Sequence, residues 1–461
     1  MSGLLIGLIV GILLLALLAL GIPVAFALGL TAIISVVVFL TPAQFGYFSE
    51  FVFGSLNNFA LLAIPLFVLM GAIFGQSQAS RDLLEAAHAW FGKLRGGLAM
   101  SAVVACALFA ALTGSSPATS AAIGKVAIPE MVRRNYPNGV ASGAIVAGGT
   151  LGILIPPSVT LILYGIATES SIGQLFLAGV APGIMVTLLF CVWIFIAMTL
   201  ASSNRNPGLM AGVIQSSEEN PQTTNMEGSP EISEAENYPW KRKFAILVKV
   251  IPFIILIASV LGALYLGIAT PSEAAAVGAL LALILVGILY GMRPGNIMNV
   301  ALETTRTSTM ILMIVAFSAV LGQVLSFLNV PQDLATLIAD LNVNRWVVFL
   351  AMNVLFLVLG FFVPPVAIIL ITMPVLFPIV TELGFDPIWF GIVMTLNMEM
   401  GLITPPVGLN LYVVQGIAPD MPVKDILLGS LPYVAVLAVG IVILCLFPGI
   451  VTWLPNQMLG N

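Results

Sequence analysis

Long apolar runs recur from one end of the chain to the other, and the places where they break set the expected architecture. Residues 3–40 are almost wholly apolar, interrupted only at Gly21-Ile22-Pro23. One crossing of a bilayer needs about 20 residues, so this stretch predicts two crossings joined by a tight turn. A third span is expected at about 58–76. Residues 97–113 and 120–129 flank a small, polar centre, Gly114-Ser115-Ser116-Pro117-Ala118-Thr119, and predict a re-entrant hairpin over 97–129. Spans follow at about 140–168 and 175–200. Residues 202–243 change character: they carry Glu218, Glu219, Glu227, Glu231, Glu234 and Glu236, end in Lys241-Arg242-Lys243, and predict a solvated linker. Apolar segments resume at about 245–268, 274–291 and 307–328. A pair of arms around Val363-Pro364-Pro365 predicts a second hairpin over 346–380, followed by spans at 388–418 and 427–453.

Composition turns this pattern into a class. Of 461 residues 60% are hydrophobic and 8% are charged, against about 25% charged in soluble domains. A soluble enzyme is excluded, and an all-α polytopic membrane protein is expected. The 43 glycines and 29 prolines sit within the apolar runs, as in helices interrupted inside the membrane. A net charge of −5 gives no reason to expect a nucleic-acid partner. Cys106, Cys191 and Cys445 are scattered through apolar stretches and read as core residues. His88 is the single histidine, so a histidine metal site is not expected. No basic residue precedes the first apolar run, which is also too long for a cleavable signal.

Basic residues orient the spans. With the N-terminus and loop 41–57 outside, loops 77–96 and 202–243 fall inside, and all 15 lysines and arginines except Arg345 lie on or open to the inner side.

The two halves match at an offset of about 249 residues. Gly152-Ile153-Leu154-Ile155-Pro156-Pro157 falls on Gly401-Leu402-Ile403-Thr404-Pro405-Pro406. Ser115-Ser116 falls on Pro364-Pro365, and Pro129 on Pro378. Each half holds five crossings, an odd number, so the second inserts upside down relative to the first. The expectation is an inverted-topology repeat, with residues 1–201 as the first unit (hairpin 97–129, broken helix 140–168) and 244–461 as the second (hairpin 346–380, broken helix 388–418). Residues 202–243 link them.

Four breaks then converge at one depth: the tips at 114–119 and 363–366, and the interrupted helices at 152–158 and 401–408. Proline leaves an upstream carbonyl unpaired, and glycine lets backbone approach an ion closely. Free carbonyls and hydroxyls suit a hard cation such as sodium, and helix N-termini suit an anion. One pair of breaks per repeat predicts two quasi-symmetric cation sites with substrate between them. Among acidic residues Glu399 is intramembrane and a functional candidate by default. Glu273 is a weaker candidate carboxylate, Asn397 a weaker polar one, and Glu303 with Arg306 reads as a solvated pair. No G-x-x-x-x-G-K-[ST] loop, metal cluster or base for Ser115 or Ser116 is present, which argues against an ATPase or a membrane hydrolase. A saturable carrier fits better than a channel.

At GSSPATSAAIG (114–124), GGTLGILIPPS (148–158), TPSEAAA (270–276) and GLITPPVGLN (401–410) the chain resembles the large membrane subunit of tripartite ATP-independent periplasmic (TRAP) transporters, the DctM-like family. The resemblance covers nearly everything outside the linker. It implies a symporter of the bacterial inner membrane, multi-pass, not an enzyme, working as an elevator and importing small organic anions such as C4-dicarboxylates. A sialic acid carrier and a proton-coupled anion carrier are the alternatives. It implies no cofactor other than Na+ as coupling ion. It implies two partners, a small four-helix membrane subunit, not fused here, and a periplasmic substrate-binding protein. Carried onto this chain, Gly114, Ser115, Ser116 and Thr119 with Gly152 and Pro156 would form one sodium site. Val363 and Pro364 with Gly401, Thr404, Pro405 and Gly408 would form the other. Ser116, Thr119, Ser158, Asn397, Thr404 and Asn410 would meet the substrate. The second tip, Phe362-Val363-Pro364-Pro365-Val366, offers backbone carbonyls only.

Overall fold

Gly21 breaks the first apolar run: its φ is +79°, a backbone that side chains resist, and the chain reverses there between helices Gly3–Ala19 and Val24–Phe39. The computed structural model describes residues 3–202, 239–291, 294–340 and 343–459, which hold helices and their connections and no strand. The acidic residues 218–236 of the expected linker lie outside the described residues. Its basic end does not read as linker: helix Trp240–Val248 starts before Lys241.

Among the described residues five helices are long and apolar enough to cross a bilayer, and up to eight if bent pairs count as single spans. Much of their apolar surface faces outward, Ile288 being 79% exposed. The chain is therefore a multi-pass membrane protein. Because lipid is as apolar as leucine, these helices gain by close packing instead. Gly143 shows it: a Cβ there would collide with the backbone of Gly429 on Val423–Leu446.

Several segments expected to be loops are helical. Residues 41–57 form a 3-10 turn, Pro42–Tyr47, and helix Phe48–Leu56, none of whose residues is buried within the chain. Phe53 is 70% exposed, which suits an aromatic belt at the membrane interface. Residues 79–91 form an amphipathic helix, Ala79–Phe91, that buries Leu83 and Leu84; its charges had disguised the 3.6-residue period. The span expected at 307–328 starts at Pro294 and runs to Phe327. The one expected at 427–453 divides at Phe447-Pro448 into Val423–Leu446 and Gly449–Leu459.

Element by element the halves stand in register. Ser116–Arg133 and Pro365–Glu382 begin and end 249 residues apart, as do the starts of Asn138–Leu154 and Pro387–Leu402. Gly3–Ala19 and Val24–Phe39 correspond more loosely to Ile251–Tyr265 and Pro271–Tyr290, whose starts and ends lie 246 to 251 residues on. One pair differs. Phe48–Leu56 and the segment 59–75 meet at a 60° bend, where the Asn58 side chain caps the new turn by accepting from the Ala60 N–H at 2.9 Å. The counterpart positions, Arg306-Thr307, lie inside the continuous helix Pro294–Phe327.

Candidate functional site

Helix Gly97–Thr113 stops at Gly114, whose φ of +58° only glycine accepts easily. Ser115 is extended, and Ser116–Arg133 restarts with Pro117 in its first turn, where no helical N–H is needed. Two threonines close this first tip. The Thr119 hydroxyl donates to the Ser115 carbonyl at 2.8 Å and meets the Thr113 hydroxyl at 2.9 Å.

The first broken helix, Asn138–Leu154 and Val159–Ala167, turns by 41° through Ile155-Pro156-Pro157-Ser158. Ser158 stitches the break: its hydroxyl donates to the Ile153 carbonyl at 2.6 Å and accepts from the Leu161 N–H at 3.3 Å. Tip and break interlock through glycines. A Cβ on Gly114 would sit 2.6 Å from the Pro157 carbonyl oxygen, and one on Gly152 would sit 2.6 Å from that of Ser115. Each glycine thereby packs against a backbone carbonyl of the other segment.

The second pair is built differently. Arg345–Gly360 ends before Phe361-Phe362-Val363-Pro364, and Pro365–Glu382 follows. The break between Pro387–Leu402 and Leu409–Ile417 runs through Thr404-Pro405-Pro406 to Gly408 at φ +51°. Here Gly401 packs on Gly360, with a Cβ only 2.5 Å from the Gly360 Cα, below the tip and not against it. The half-buried Thr404 hydroxyl donates to the Met400 carbonyl of its own helix at 2.5 Å.

Both tips and both breaks wall one cavity of about 180 Å³. Gly114 to Ala118 and Pro364 to Val366 supply the tips; Ile153, Val159 and Thr160 flank one break, Leu402 and Leu409 the other. Val68, Gly71 and Ala72 close one side, and Glu303, Thr307, Met310, Ile311 and Ile314 of the long helix Pro294–Phe327 close another. Among the described residues Glu303 is the single charged one in this wall, and no lysine or arginine belongs to it. Glu303 and Arg306 are both exposed, as expected of solvated residues, but Glu303 also stands in the cavity wall. Among the described residues Glu303 and Arg306 form no ion pair; the readable signal was Glu303 and Thr307, one turn apart on a helix that continues into apolar residues.

Other expected site residues lie elsewhere or are already engaged. Ser116 and Asn410, both fully buried, face each other: the Asn410 amide donates to the Ser116 hydroxyl at 2.8 Å and to the Val146 carbonyl at 3.1 Å. Asn397 donates at 3.0 Å to both the carbonyl and the side chain of Asn353 and does not reach the cavity. Glu399 is fully buried on Pro387–Leu402, with no hydrogen-bond partner on either oxygen, and also stands outside the cavity. Glu273 is corrected to a helix cap: exposed at the start of Pro271–Tyr290, it accepts from the Thr270 N–H and hydroxyl, both at 2.8 Å. His88 sits on Ala79–Phe91 beside Arg134, 3.5 Å away. Burial first, and the Arg134 guanidinium second, push its pKa down to about 4, so it is neutral at pH 7 and is not among the residues around the tips.

Comparison with known proteins bears directly on these features. The family model described as "Tripartite ATP-independent periplasmic transporter, DctM component" matches residues 11–450. The C4-dicarboxylate TRAP transporter large permease protein DctM of Pseudomonas aeruginosa is 38% identical over 94% of each chain. The sialic acid TRAP transporter large permease protein SiaM of Vibrio cholerae is 31% identical over 97% of each. Among solved structures, the Alcanivorax borkumensis YdaH transporter matches at a TM-score of 0.62, covering 89% of this chain and 90% of its own, with 16% identity. That similarity concerns the fold.

Proposed function

The chain belongs to the DctM component family of tripartite ATP-independent periplasmic transporters and is a large permease, and we propose that it imports a small organic anion, a C4-dicarboxylate, together with sodium. The observation that carries this reading is the charge balance of the cavity. Among the described residues of its wall an anion meets no lysine or arginine and one carboxylate, Glu303. Its charge must be met by something else. Four helices, starting at Ser116, Val159, Pro365 and Leu409, begin in the wall and present unpaired N–H groups and positive dipole ends. Co-bound cations supply the rest, and the crowded carbonyls of Ser115 and Pro157 with the threonine pair of the first tip fit a hard, weakly polarising ion. The second site, at Val363, Pro364, Gly401, Thr404, Pro405 and Gly408, would use backbone oxygen and Thr404.

In this reading residues 1–201 and 244–461 are inverted repeats. The hairpins and broken helices move as one body against the remaining helices, in the inner membrane, with a small membrane subunit and a periplasmic binding protein as partners. The register of the two halves and the membership in a tripartite family support it. The test is uptake of labelled succinate by the complete three-part system in proteoliposomes. Replacing external sodium by potassium should lower initial uptake about tenfold. Undiminished uptake in potassium at neutral and acidic pH would sink sodium coupling. Uptake restored only by acid would favour the proton-coupled reading, for which the buried, unpartnered Glu399 is the observation.

Glu303 gives a second test. Its charge repels an anionic substrate by about 0.7 kcal/mol per unit charge, for a separation on the order of 10 Å at partial screening. Glu303→Gln should lower KM roughly threefold for a monoanion and roughly tenfold for a dianion. Equal changes for both would show that the carboxylate acts through shape instead of charge.

A further inference from the structure

The second hairpin tip separates two spaces. On one side Pro364, Pro365 and Val366 face the central cavity; on the other, Val363 lies in the wall of a second cleft of about 450 Å³. This cleft runs between the first helix, Gly3–Ala19, the far part of Pro294–Phe327, helix Val330–Asp340 and both arms of the second hairpin. Among the described residues no charged one lines it, and the one polar side chain, Thr372, has its proton committed to the Ile368 carbonyl at 2.7 Å, which leaves its oxygen only as an acceptor. The wall continues onto outward-facing residues of the membrane belt: Leu8 and Leu355, both in the wall, are 60% and 41% exposed.

A space of this size is not left empty in close-packed protein, since its lining would forfeit contacts on one whole side. Water does not fill it, because a buried water needs two or more polar partners and the described wall offers one, the Thr372 oxygen. What lies at its mouth is the hydrocarbon of the bilayer. We propose that the cleft is a binding site for one acyl chain of a membrane phospholipid, which lies against Val363 and props the second tip from the lipid side. The chemistry of the two tips follows from this. The first tip is enclosed by protein, Gly71 packing so closely that a Cβ would lie 2.9 Å from the Thr113 Cα, and it can be lined with hydroxyls. The second has hydrocarbon behind it, and Phe362-Val363-Pro364-Pro365-Val366 presents no side-chain polar atom to that surface. Nothing in the cleft can read a headgroup, so phospholipids of either headgroup charge should bind alike.

The site is tested in nanodiscs holding the full chain with its small membrane subunit, doped with phosphatidylcholine or phosphatidylglycerol that carries a diazirine on one acyl chain. After irradiation, peptides containing Leu325 and Leu376, which lie at 8% and 7% exposure inside the cleft, should be labelled with both lipids. Gly11→Phe should reduce that labelling at least fivefold: Gly11 lies in the wall, and a Cβ there meets nothing within 4 Å. Leu376→Trp, which fills the cleft from the opposite wall, should do the same. Labelling at Ile288 on the open belt should stay unchanged in both. The proposal is overturned if the cleft peptides are labelled no more than background, or if neither filling variant lowers their labelling. It is equally overturned if labelling seen in the isolated chain vanishes in the complex, because a helix of the small subunit would then be the occupant.

Discussion

Gly152→Ala should reduce uptake to about one-hundredth of wild type or less, with insertion and assembly intact. The added Cβ would stand 2.6 Å from the Ser115 carbonyl oxygen, 2.7 Å from its carbon and 2.9 Å from the Ser116 nitrogen. All three are backbone atoms, so no side chain can swing aside. The first tip must move away from the break, by a few tenths of an ångström to an ångström. In a reactive site, misplacement on that scale costs about 100-fold, and an ion shell made of fixed carbonyls is no more forgiving. The overpacking itself costs about 1–3 kcal/mol, which a large membrane domain can survive. Gly401→Ala should also damage transport, but through the arms, since its Cβ meets Gly360 below the tip. Gly262→Ala is the control, because a Cβ there meets nothing within 4 Å. Uptake and sodium dependence are measured in proteoliposomes, with assembly checked by co-purification of the small subunit. Wild-type sodium dependence in Gly152→Ala would refute the idea that tip and break form one site.

The helical membrane fold and the positions of the tips and breaks were legible because glycine and proline inside apolar runs are a one-dimensional signal. The hairpin expected at 97–129 is Gly97–Thr113 with Ser116–Arg133, turning at Gly114. The break expected at 152–158 lies between Leu154 and Val159. What could not be read was which side chain faces which across the fold. Glu303 and Arg306 are three apart, the spacing of a solvated helix pair, and only the arrival of both tips against Glu303 makes it a wall of the cavity. Asn397 carried the polarity of a substrate ligand, but its amide nitrogen donates to the carbonyl and the side chain of Asn353 on Arg345–Gly360. Glu273 carried the charge of a functional carboxylate and the spacing of a capping box, Thr270 to Glu273, and the cap prevailed. Amphipathic surface helices such as Ala79–Phe91 were hidden because their polar faces lower the hydropathy of a segment without removing its period.

The same blindness concealed the contact between Ser116 and Asn410, 294 residues apart, and that contact leads to the second large effect. Asn410→Leu should raise the sodium concentration for half-maximal uptake about 30-fold. The substitution keeps the volume of the side chain but strips the partner from a fully buried serine hydroxyl and removes a donor from the Val146 carbonyl. Leaving a buried polar group unmet costs about 1–3 kcal/mol, and about 2 kcal/mol corresponds to roughly 30-fold. The bridge ties the first tip, in one half of the chain, to the start of Leu409–Ile417 in the other. An ion that orders the tip therefore also steadies the second break, and without the bridge it must do so alone. Ser116→Ala should show the same rise, and the double variant should be no worse than either single one, because both remove one interaction. Thr404→Ala should be milder, its hydroxyl being spent on its own helix. Glu399→Gln should leave sodium activation nearly unchanged, since neither oxygen has a partner to lose. Additive losses in the double variant would mean that Ser116 and Asn410 act separately. If instead only Glu399→Gln abolished transport, the coupling would rest on the carboxylate and the ion carried would be a proton.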